Sequence, residues 1–226
     1  MNKEIVIKNI ETNPELTEII KNNASKIDKF YSEKLFHHFF NSINLLQTIA
    51  TKESDYGHNN VPRYEPAYGP GGIYFKANHV KNLYEKYGKD ACCSYSSFQI
   101  MFITAFELGY RESPKALAND SIAIHWAIKY IQNRILKFNP LNLEQIFDAY
   151  NSGNFKDKNI PKEYISDCLG YYVIIKEYNE TLIKTIKEQI DIYTMNEIEL
   201  DFMIKEIQDT IKKLNQIEIM LLKKKG

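Results

Sequence analysis

The sequence predicts a mainly α-helical protein that ends in one long helix, and three observations carry that prediction. Apolar residues recur at three- and four-residue spacing along most of the chain. Glycine and proline are sparse, and they gather over 55–73. From about residue 175 neither occurs until Gly226. Few alternating strand patterns break this picture, and at most a short hairpin is expected between 70 and 96.

The elements follow in order. Thr12-Asn13-Pro14-Glu15 reads as a helix start, with Asn13 as cap and Pro14 in the first turn. Leu16, Ile19, Ile20 and Ile27 continue it over 14–30, and Leu35, Phe39, Phe40, Ile43 and Leu46 predict a second helix over 33–52. The stretch 55–73 is a long loop, and a loop of that length is functional or disordered. Tyr56, Tyr64 and Tyr68 argue for order, since aromatic rings seek packing. Helices are then expected at 76–87, 97–108 (closed by Gly109), 120–138, 142–151 and 161–177.

The tail carries a heptad pattern. With Ile183 at position a, ten of the twelve a and d positions are apolar, the exceptions being Glu197 and Glu218. Such a seam suits a coiled coil. Two readings stand: a helix, or a hairpin bent near Met195-Asn196, packed on the body; or a surface that meets a second copy or another protein.

Composition sets limits. The chain has 226 residues, 29 Lys+Arg and 29 Asp+Glu. Its charge balance argues against a nucleic-acid partner, which would want a basic footprint. No apolar run nears the roughly 20 residues that a membrane span needs. Met1–Lys8 lacks the apolar core of a secretory signal, so none is expected. Cys92, Cys93 and Cys168 fit neither a disulfide framework nor CxxC metal spacing. No Walker loop, GxGxxG, GxSxG or HExxH is present, His37-His38 point to different faces, and Asp55–Asn59 misses calcium-loop spacing. No metal and no cofactor is expected.

What remains is Ala50-Thr51-Lys52-Glu53-Ser54, where an apolar helix meets the long loop. A glutamate held against apolar neighbours at a cleft edge keeps its proton near neutrality and can serve as a general acid. Three further segments join it: Arg63-Tyr64-Glu65-Pro66; Ser94–Met101 followed by Thr104–Gly109; and Ala149-Tyr150-Asn151-Ser152-Gly153-Asn154. In this order and at these separations they resemble the soluble lytic transglycosylases, which share the lysozyme-like fold with goose-type lysozymes. The resemblance covers about 45–170, and Tyr130-Ile131 and Lys137-Phe138 also fit it.

The resemblance implies a lysozyme-like domain over 45–174, N-terminal helices over 1–44 packed on it, and a coiled-coil-like helical extension over 175–226. It implies Glu53 as the single catalytic acid/base. It places Gln99 and Met101 along a glycan cleft with Ser94 and Glu65, and sets Tyr150 beside the catalytic carboxyl with Asn151. Read by residues alone, Met101 also fits a core position, and Glu65 fits an ion pair with Arg63 that fixes the loop. Ser96 stands where the family has glycine, Phe98 where it has methionine, and Tyr95 where it has tryptophan or a similar aromatic; the serine bears on cleft shape near Gln99.

The implied reaction breaks the β-1,4 bond between N-acetylmuramic acid and N-acetylglucosamine in peptidoglycan strands and leaves 1,6-anhydro ends. No second carboxylate matches a family position. A hydrolytic muramidase, with Asp55 or Glu65 placing a water, is the alternative. A structural or glycan-binding virion protein is another, with the tail docking to a second copy or to a phage structural protein. Without a signal segment, a phage protein made in the host cytoplasm is expected, either virion-associated or released to reach the wall.

Overall fold

A computed structural model describes residues 2–34, 40–135, 140–153 and 162–225. His37-His38, Lys137-Phe138, Asn154 and Pro161 lie outside them. Asparagines start five of the described helices. Asn2 caps α1 (Lys3–Glu11), Asn41 caps α3 (Ser42–Ser54), Asn119 caps α6 (Asp120–Tyr130) and Asn142 caps α7 (Leu143–Ser152), each accepting a backbone N–H from the first turn. In α2 (Pro14–Lys34) the Asn13 side chain receives the Leu16 N–H at 3.1 Å, with Pro14 in the first position.

The chain divides into two units, Met1–Glu177 and Tyr178–Gly226. In the first, α3 is the central element. Leu45, Leu46, Ile49 and Ala50 are fully buried, and its polar residues Gln47, Thr48, Thr51 and Ser54 are buried too. Helix α2 packs against it and against α6, and buries Leu16, Ile20 and Ile27. A second cluster joins Val80 and Leu83 of α4 (Asn78–Tyr87), Ile103 and Ala105 of α5 (Phe102–Glu107), and Tyr95, Ile100, Tyr110 and Leu117. Phe102 sits inside it, with the rings of Tyr87, Phe106 and Tyr110 around it.

A small antiparallel sheet links these parts, in the order β1 (Arg63–Tyr64), β2 (Cys93–Tyr95), β3 (Ile100–Met101). Arg63 pairs with Ser94, and Ser94 with Met101. The expected helix over 97–108 therefore starts only at Phe102, and the hairpin falls at 93–101 rather than between 70 and 96. Ser96 and Gln99 turn the chain with positive φ, 70° and 44°. Neither residue type signals a left-handed backbone, so an apolar helical pattern masked the turn.

Other boundaries move as well. The nine-residue α1 was not expected; only Val6 and Ile10, one turn apart, are buried on it. The expected helix over 33–52 begins at Ser42. Helix α6 widens into a π-turn over Ile131–Ile135. Helix α8 runs from Lys162 to Lys225 and stays helical through Met195-Asn196, so there is no hairpin bend. Among the described residues no helix is long and apolar enough to cross a membrane.

Candidate functional site

The last turn of α3 delivers Glu53 to the floor of a cavity of about 320 Å³. The sheet supplies Arg63, Ser94 and Met101; Glu65 follows directly on β1; the β2–β3 turn supplies Gln99; and the end of α7 supplies Tyr150 and Asn151. All seven residues singled out from sequence (Glu53, Glu65, Ser94, Gln99, Met101, Tyr150 and Asn151) thus line one cavity. Asp55 is not among the lining residues: it is exposed and closes α3 with φ 50°.

Glu53 is almost withdrawn from water, with 10% of its side chain exposed. Burial raises its pKa above the ordinary value near 4.5. Three contacts oppose that rise without cancelling it. The Tyr164 hydroxyl donates to Glu53 Oε1 at 2.6 Å. Arg63 Nη2 stands 3.7 Å from Oε2, too long for a hydrogen bond, so it acts as a nearby charge. Lys52 adds a weaker attraction. Burial first, and then the Glu53 charge, lifts the Tyr164 hydroxyl well above its ordinary pKa, so it remains a donor.

Tyr164 had no signal in the sequence. It sits in the first turn of α8, where one tyrosine on a helix reads as a packing residue. The neighbouring ion pair Lys52–Asp167, at 2.7 Å, ties the same part of α8 to α3. The nearby Cys168 thiol is buried and pushed up to about 12, so it is inert near neutrality.

Three of the lining residues have further partners or positions that the sequence did not specify. Gln99 lines the cavity, yet its amide is engaged by protein: Oε1 accepts from Ser94 Oγ at 2.7 Å, and Nε2 donates to the Ser96 and Val61 carbonyls at 3.0 and 3.3 Å. It shapes the wall. Tyr150 also lines the cavity, close enough to Glu53 for its charge to act on the phenol, and its hydroxyl donates to the Phe98 carbonyl at 2.8 Å. Met101 projects from β3, partly exposed, rather than from a helix.

The wall is built around the β2–β3 turn. Ser54 Oγ donates at 2.9 Å to the Ser97 carbonyl and receives the Gly57 N–H at 2.8 Å. The Ser97 N–H and hydroxyl both donate to the Asp120 carboxylate, at 2.8 and 2.7 Å. Ser96 Oγ accepts the Phe98 N–H at 3.2 Å. Buried polar groups cost stability unless paired, and these are paired.

Arg63 connects two carboxylates. Its Nε donates to Glu65 Oε1 at 2.8 Å while Nη2 faces Glu53. Glu65 therefore fixes the loop, as its pairing with Arg63 implied, and is also a second carboxylate in the cavity. One guanidinium touching both keeps them within roughly 10 Å, the range used by paired carboxylates in glycoside cleavage. Among the described residues no group of three or more His, Cys, Asp or Glu is placed to hold a metal ion. No family model, curated protein or solved structure matches the chain.

Proposed function

We propose that the chain is a lysozyme-like lytic transglycosylase that cleaves peptidoglycan between N-acetylmuramic acid and N-acetylglucosamine. One observation carries the reading: a desolvated Glu53, its pKa raised by burial, lies on the floor of the cavity that the four motif segments line together. Protonated Glu53 donates to the glycosidic oxygen as the bond breaks. The substrate's own N-acetyl group stabilises the cationic sugar. Glu53, now a carboxylate, takes the proton of the C6 hydroxyl as that oxygen closes on C1, giving a 1,6-anhydro end and consuming no water. Tyr164 holds the carboxyl in place through both half-reactions, because its hydroxyl keeps its proton.

Hydrolysis is the second reading, and Glu65 favours it. It shares the cavity and the Arg63 guanidinium with Glu53, so a water between them has a base. Mass spectrometry of soluble products from purified peptidoglycan decides between the two. Anhydro-ended fragments from the wild type and none from Glu53→Gln are expected. Reducing ends, one water heavier, would make it a muramidase. No fragments from a folded wild type would sink both readings.

A further inference from the structure

We infer that the tail from Tyr178 onward pairs with the tail of a second copy of this chain in an antiparallel coiled coil centred near residue 202. The starting observation is an exposed apolar stripe in heptad register: Ile183, Ile186 and Ile204, at positions a, d and a, are 54%, 46% and 44% exposed. A helix of this composition gains little stability in isolation; most helical stability comes from burying an apolar face.

Charge selects the partner and its direction. Residues 178–201 carry two lysines and six acids, a net charge of −4, while 202–226 carry six lysines and three acids, a net charge of +3. A parallel pair would set acid beside acid and base beside base. An antiparallel pair of identical tails sets each acidic half beside a basic one, and the midpoint of the unit, residue 202, becomes the symmetry axis.

The two polar seam positions point the same way. In parallel register, Glu197 and Glu218 would each meet their own copy across the seam, placing like charges in a closing interface. In antiparallel register about residue 202, each a position meets a d position. Glu197 then falls opposite Ile207 and Glu218 opposite Ile186, while Ile204 meets Leu200, Ile190 meets Leu214 and Ile183 meets Leu221. No glutamate faces a glutamate.

The test uses the full chain in solution. Sedimentation equilibrium is expected to give twice the 26.5 kDa chain mass at micromolar concentration. Ile204→Asn, beside the axis, is expected to weaken the dimer at least tenfold, with circular dichroism showing that unit 1 stays folded. Spin labels on Lys224→Cys are expected about 65 Å apart across an antiparallel dimer, from 1.5 Å per residue, against roughly 10–20 Å in a parallel one. The three native cysteines are buried, and unsubstituted chain controls for their labelling. A monomer at 100 μM would overturn the proposal and leave the seam to a different protein. A dimer with close labels would overturn the antiparallel arrangement. A dimer indifferent to Ile204→Asn would place the interface elsewhere and overturn it too.

Discussion

The cavity and the tail invert the usual distribution of side chains in opposite senses. Around the cavity, polar groups are inside: Ser94, Ser96 and Ser97 are at most 1% exposed, and Gln99 is 8% exposed. Along the tail, apolar groups are outside, with Phe202 at 61% and Ile183 at 54%. An exposed Leu or Ile taken singly says little, but buried polar groups and contiguous exposed apolar ones both ask for a reason. In the cavity the reason is shape. Each buried polar atom is tied to a neighbour, so the β2–β3 turn and Glu53 hold fixed positions where water is scarce. On the tail, the proposed pairing with a second copy would supply it.

Removing the acid on the floor of the cavity has the largest expected effect. Glu53→Gln should lower turnover about a thousandfold, the scale of a lost general acid. The same change should help the fold at neutral pH. The folded carboxyl keeps its proton above the ordinary range near 4.5, where the unfolded one has released it. The stability this group contributes is complete below pH 4.5 and is lost as pH rises through the higher folded value. Melting temperatures of wild type and variant should therefore diverge at pH 7, with the variant higher, and converge near pH 4.

Next in size is Asp120→Ala. It strips partners from the Ser97 amide and hydroxyl, both donors to a charged group, and should cost about 2–3 kcal/mol in a urea titration. An unchanged midpoint would mean that the turn is held from elsewhere. Tyr164→Phe should act on chemistry more than on stability. The lost hydrogen bond was lowering the Glu53 pKa, so the alkaline limb of the cleavage profile should move up while kcat falls about tenfold. A profile that stays in place would reduce Tyr164 to packing.

The smallest change tests how much strain the wall carries. Ser96→Gly removes a left-handed serine and also the Oγ that receives the Phe98 N–H. The two effects oppose, and a gain below about 1 kcal/mol is expected from chemical unfolding.

Much of the cavity was legible because its residues travel in short motifs with fixed neighbours. Glu53-Ser54 is the clearest case: the glutamate faces the cavity, and the serine bolts its helix to the turn opposite. The residues that were not legible act through long-range geometry. Tyr164 lies 111 positions from its partner. The β2–β3 hairpin escaped because Phe98, Phe102, Ala105 and Phe106 are spaced as a helix would space them, while the reversal rests on two positive φ angles at Ser96 and Gln99. Helix α1 escaped because it turns only two residues into the core. The Asn13 cap and the tail were readable for the opposite reason: a cap followed by proline and the absence of breakers are local properties.

The turn at Ser96 has one more implication. Its backbone is held from several sides at once, by Ser54, Asp120, Gln99 and its own hydroxyl. A shape so over-determined no longer depends on the residue that adopts it most easily.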